Sequence, residues 1–130
     1  MRKWRGGVSL DWQSGELAEG LACYGRREFF EAHEHWELVW LRLPEPEKSF
    51  VQAIIQVAAA FHHLQQGNVA GTQSLLQRVQ RRLATYPASF GGIAIEPLRT
   101  EIGAWLRGIE SGNPPTTYPV ISTDGSCGES

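Results

Sequence analysis

Cysteine is scarce in this chain of 130 residues: Cys23 and Cys127 are its two thiols, and Cys127 sits in a Gly/Ser-rich tail. Two cysteines cannot make a disulfide framework, so free thiols in a reducing cytosol are expected. Cationic excess is missing as well. Twelve Lys and Arg stand against fourteen Asp and Glu, a net charge of −2, whereas a nucleic-acid binder needs surplus cation to displace counterions. Nucleic acid is therefore not an expected partner. The longest apolar run, residues 57–61, is far too short to cross a bilayer. The basic start at residues 1–5 is not followed by the apolar stretch and cleavage site of a secretory leader. A cytoplasmic protein without membrane contact is expected.

Familiar catalytic signatures are absent too. Gly6-Gly7, Gly67 and Gly91-Gly92 do not make a phosphate-cradling loop, and no Gly-x-Ser-x-Gly elbow occurs. No segment alternates convincingly like a strand. The one short candidate, 117–121, lies among Pro114, Pro115 and Pro119, which argues for an extended strap.

What remains is helix. At 42% hydrophobic and 20% charged residues the composition is globular, and a chain of this size can bury about two thirds of its surface. Glycine and proline divide it into helices over about 16–24, 27–42, 47–66, 69–85 and 96–110. Ser14 is the N-cap candidate of the first, Pro44 and Pro46 end the second, and Gly67-Asn68 closes the third. Segment 89–95 reads as loop and 113–130 as an extended tail. The expectation is one all-α domain over 1–130, a bundle of about five helices with a C-terminal strap.

Two helices carry unusual chemistry. On the second, His33, Glu37 and Trp40 share a face at about 100° per residue, with Phe29 and Phe30 one turn earlier. Glu31 and His35 project from the opposite side, and Glu34 lies at the boundary. The third helix aligns Gln52, Gln56 and His63, with His62 turned about 100° from His63, on a segment that is otherwise apolar almost all round. An antiparallel pair joined at 43–46 would lay the two polar rows together as a buried cluster. Such groups are costly to bury unless paired or ligand-bound. A local His–Glu pair or a satisfied core hydrogen bond is the plain alternative.

His33, Glu37 and His63 could supply three metal ligands, although the His-Glu-x-x-His of a zincin is not present. A mixed nitrogen and oxygen set would suit a divalent zinc, iron or manganese ion. Cys23 reads as a packed thiol. Arg78, Arg81 and Arg82 form a basic stripe on the fourth helix, read as a solvated face, with an anion or RNA contact as the other reading. Trp4, Trp12 and Trp105 read as core and interface anchors, and five tryptophans leave room for a homodimer contact.

Phe30-Glu31-Ala32-His33-Glu34, running through Trp36-Glu37 to Trp40, is followed by Gln52-x-x-Ile55-Gln56-x-Ala58-Ala59-Ala60-x-x-His63 and by Gly67-Asn68. Together these resemble the small helical domain-of-unknown-function family 309 of bacteria and archaea, over about 16–106. Tyr118-Pro119 is similar to the family's closing strap. The resemblance implies an all-α bundle and no established activity; the label sometimes attached to it is metal-dependent hydrolase. It places the motif on Glu31, His33, Glu34, Glu37, Trp40, Gln52, Gln56 and His63. His62 stands where an aromatic is expected.

Two functions follow as expectations. The preferred one is a non-enzymatic interaction module in which the polar cluster fixes helix register and an aromatic surface binds a protein partner or a second copy. The alternative is a small metal-dependent hydrolase, with His33, Glu37 and His63 holding the ion and Glu34 acting as general base to its water.

Overall fold

The computed structural model describes residues 10–123. Trp4, Cys127 and the end of the expected tail, 124–130, lie outside the described residues. The elements run α1 Gly15–Gly25, α2 Phe29–Trp40, α3 Glu47–Gln65, α4 Val69–Leu83, β1 Ser89–Phe90, β2 Ile93–Ala94 and α5 Ile95–Ser111. This is the all-α bundle that the sequence predicts, with one minute hairpin that it does not. Among the described residues no helix is long and apolar enough to cross a membrane.

Three local corrections have physical causes. Ser14 is the residue before α1, but its hydroxyl donates to Asp11 Oδ2 (2.7 Å) instead of capping the helix. Helix α2 begins at Phe29, not Arg27, because Arg27 adopts φ 66°, a left-handed conformation that cannot continue a right-handed turn. Segment 89–95 is not all loop. Gly91 and Gly92, at φ 59° and 85°, supply the two positive dihedrals of a tight hairpin turn, pairing Ser89 with Ala94 and Phe90 with Ile93.

Helix α3 is the axis of the bundle. Ten of its residues are buried, and it packs against both α2 and α4, while α1 packs on α2 and α5 on α4. Helices α2 and α3 run antiparallel: Lys48 Nζ donates to Trp40 O (3.1 Å) at one end, and the rings of Phe30 and His62 lie 5.3 Å apart at the other. Asn68 caps α4 by accepting from Gly71 N (2.9 Å). Buried Thr72 stitches α4 to α3 through its hydroxyl, which donates to Ala60 O (3.0 Å).

The strap closes the opposite side. Tyr118 packs against Phe29, Phe61 and Trp105 at 4.9, 5.1 and 5.9 Å between ring centroids. Tyr24 Oη donates to Pro119 O (2.6 Å), Trp105 Nε1 donates to Thr117 O (3.0 Å), and Val120 N donates to a Glu101 carboxylate oxygen (2.7 Å). The guanidinium of Arg27 sits 5.1 Å from the Tyr118 ring centre, which gives the left-handed residue a packing role.

Candidate functional site

The placement of the motif residues follows from which face α2 buries. Phe29, Ala32 and Trp36 are fully buried, at spacings of three and four residues. Trp36 is the anchor. Its ring fits a notch in α1 at Gly20, where an added Cβ would come within 2.1 Å of the indole nitrogen, and Nε1 donates to Leu17 O (3.1 Å). This fixes the rotation of α2 and corrects the expected burial of the His33/Glu37/Trp40 row. Glu37 is next to Trp36 on the wheel, about 100° round, and is exposed. His33 and Trp40 lie at the margin of the core, half-buried.

The row is therefore divided between two surfaces. Glu37 lines an outer groove of about 410 Å³ with Glu31, Glu34, His35 and Leu38. Within it His35 Nδ1 meets a Glu16 carboxylate oxygen at 2.5 Å, tying α2 to α1. His33 belongs instead to a recess of about 130 Å³ with Phe30, Ala59, His62 and His63. There the Phe30 and His33 rings stack at 6.0 Å, and His63 Nδ1 lies 3.2 Å from Asn68 Nδ2. The sequence reading left His62 out of this group. Its ring packs on Phe30, in the place where the resemblance leads to an aromatic.

The amide row turns elsewhere. Gln52 and Gln56 line a third groove, of about 410 Å³, with Arg78, Arg81 and Arg82 of α4. Among the described residues no hydrogen bond joins either glutamine to His33 or Glu37, so the cluster expected between the second and third helices is not assembled as one unit. The reason is geometric: α3 is sandwiched, and its stripe through Gln52 and Gln56 follows the seam with α4.

His33 and His63 thus share one recess, and Glu37 stands apart from both. Among the described residues no three His, Cys, Asp or Glu side chains form a group able to hold a metal ion. The side chains present among the described residues do not fit a centre with three protein ligands.

One property marks the helices α2, α3 and α4. Among the described residues five buried polar atoms lack a hydrogen-bond partner: His33 Nδ1, Trp40 Nε1, Glu47 Oε1, Gln56 Oε1 and Arg82 Nε. Stranding such a group typically costs about 1–3 kcal/mol. Three of the five fall on motif positions. Glu47 and Arg82 escaped the sequence reading as site residues, although Arg82 was visible in the stripe at positions i, i+3 and i+4.

Comparison with known proteins adds one finding. Residues 17–75 match the family model described as Domain of unknown function (DUF309). The matched segment spans α1 to the first half of α4 and contains every motif residue from Glu31 to His63, but ends before Arg78. No curated protein matches the chain.

Proposed function

For a chain whose residues 17–75 match the DUF309 family model, we propose a non-enzymatic interaction module whose outer α2 face docks a protein partner. The observation that carries this reading is an exposed apolar row interleaved and edged with acid. Phe30, Leu38 and Leu41 are 46%, 49% and 62% exposed on or just after α2; Glu34 stands between Phe30 and Leu38, one turn from each, and Glu31 and Glu37 line the groove beside Leu38. Exposed apolar groups rimmed by charge suit an amphipathic partner helix. Its flanks should be basic, because the rim is acidic. The acidic rim also disfavours a symmetric second copy, whose glutamates would face their equals. The protein is taken to be cytoplasmic on the same reading, with Cys23 a buried free thiol.

Titration with a Leu/Lys amphipathic helical peptide, followed by amide chemical shifts, tests this. Shifts should map to 30–41, weaken with salt, and vanish in Leu38→Glu/Leu41→Glu. An equal response to a Leu/Glu peptide would overturn the proposal.

The hydrolase reading draws on the unpartnered Nδ1 of His33. Metal analysis of protein purified without a histidine tag separates the two. Near-stoichiometric zinc, iron or manganese, lost in His33→Ala, would displace the module reading.

A further inference from the structure

The groove between α3 and α4 holds a density of unpaired cation found nowhere else among the described residues. Arg78, Arg81 and Arg82 line it from α4, and Gln52 and Gln56 line it from α3. The ion pairs among the described residues are Arg26–Glu28, His35–Glu16 and Arg99–Glu96, so none of these three arginines has a carboxylate partner. Glu45 is close enough to feel Arg82, but its stronger interaction is with Ser49, whose backbone N–H donates to Glu45 Oε1 (3.0 Å).

A solvated charge stripe accounts for cations that point freely into water. It does not account for the two lining groups whose atoms are buried and unpartnered: Arg82 Nε, a donor without an acceptor, and Gln56 Oε1, an acceptor without a donor. A ligand able to satisfy both must carry an acceptor for Arg82 Nε and a hydroxyl or amine donor for Gln56 Oε1, and three guanidinium charges favour an anionic acceptor. Three guanidiniums bring three positive charges, more than the single negative charge of one carboxylate can balance. They match the double charge and the three terminal oxygens of a phosphate monoester. The groove volume of about 410 Å³ lies within the roughly 300–1,000 Å³ of small-molecule sites. A nucleic-acid strand fits less well. The chain is net negative at −2, and α2 presents a row of glutamates.

We propose that the α3–α4 groove binds a small phosphorylated, hydroxyl-bearing molecule. Its phosphate sits among Arg78, Arg81 and Arg82, and its hydroxyls hydrogen-bond Gln52 and Gln56. This site is separate from the α2 docking face, and it stands whether or not that face binds a helix.

Calorimetric titration of the full chain with ribose 5-phosphate, glucose 6-phosphate, glycerol phosphate, inorganic phosphate and ribose tests the assignment. At least one sugar or glycerol phosphate should bind saturably and more tightly than inorganic phosphate, with ribose silent. Arg78→Gln/Arg81→Gln should weaken that binding by about tenfold or more, the loss expected for charge-assisted hydrogen bonds. Both side chains are exposed, so the melting temperature should stay unchanged. Gln56→Met keeps the volume and removes the stranded acceptor; it should lower affinity for the sugar phosphates and leave inorganic phosphate unaffected. No binding by any phosphate, or binding indifferent to the double variant, overturns the proposal. A 20-nucleotide RNA that binds more tightly than every small phosphate at equal ionic strength also overturns it, in favour of a strand contact.

Discussion

The two sides of α3 follow opposite rules, and the tryptophans show it. On the side closed by α1, the hairpin and the strap, every indole nitrogen among the described residues is used: Trp12 donates to Gly91 O (2.7 Å), Trp36 to Leu17 O (3.1 Å) and Trp105 to Thr117 O (3.0 Å). Along the seams that α3 makes with α2 and α4 the rule fails: Trp40 keeps a buried Nε1 without an acceptor, while Lys48 Nζ lies 4.2 Å from the centre of its ring. Both sides bury aromatic surface. Only the first also completes its hydrogen bonds. Buried polar groups in native proteins are nearly always paired, and unpaired ones concentrate where strain or function is stored. The contrast therefore divides the described residues into a half whose indole donors are all paired and a half that keeps five buried polar atoms unpaired.

The comparison breaks hardest at its anchor. Trp36→Ala empties the notch at Gly20 and removes the indole donor from Leu17 O, and should cost about 3–5 kcal/mol in denaturant-induced unfolding. A loss below about 1 kcal/mol would mean that the rotation of α2 is set by something other than this ring.

Next in size is Tyr24→Phe, which strands Pro119 O under the strap and should cost about 1–3 kcal/mol. It carries a pH signature as well. Burial, with smaller pushes from Glu101 and Tyr118, holds the Tyr24 phenol well above its ordinary value of 10.0. The folded chain thus keeps this proton more tightly than the unfolded chain does. Its contribution is whole below pH about 10 and is lost as the pH rises beyond that value. Urea midpoints measured from pH 8 to 11 should fall steeply at the alkaline end, and less steeply in the variant. Tyr86, raised by its own burial against the opposing cation of Arg82, should keep a residual slope.

The finest test pairs two indoles. Trp105→Phe removes a donor that is in use, so Thr117 O goes unpaired and stability should fall by about 1–2 kcal/mol. Trp40→Phe removes a donor that has no acceptor, and should be neutral within about 0.5 kcal/mol or stabilising. Equal losses in the two would erase the distinction between the halves.

How far the sequence carried follows the same division. The helices were legible because backbone chemistry marks their ends: Pro44 and Pro46 after α2, Gly67-Asn68 after α3, and Gly112 at φ 78° after α5. The hairpin was also within reach, since Gly91-Gly92 supply what its turn requires. Arg27 was not, because nothing in an arginine announces a left-handed dihedral; its position over the Tyr118 ring is a tertiary fact. The buried face of α2 was ambiguous on the wheel. Phe29/Ala32/Trp36 and Phe30/His33/Trp40 are adjacent arcs, and Gly20, on a different helix, decides between them. For the same reason the row of Gln52 and Gln56 was visible, but its neighbour was not. Sequence proximity pointed to α2, and the packing of α3 between two helices gave the row to α4.

The near-parallel stack of Tyr118 on Trp105, inclined by only 8°, gives the molecule an optical reporter of its own. An indole and a phenol held face to face in a chiral setting should contribute a distinct near-ultraviolet circular dichroism band. That band would fade when residues 113–123 peel away, even while the helical signal of the bundle persists. Undocking of the C-terminal segment can then be followed without a label, separately from global unfolding.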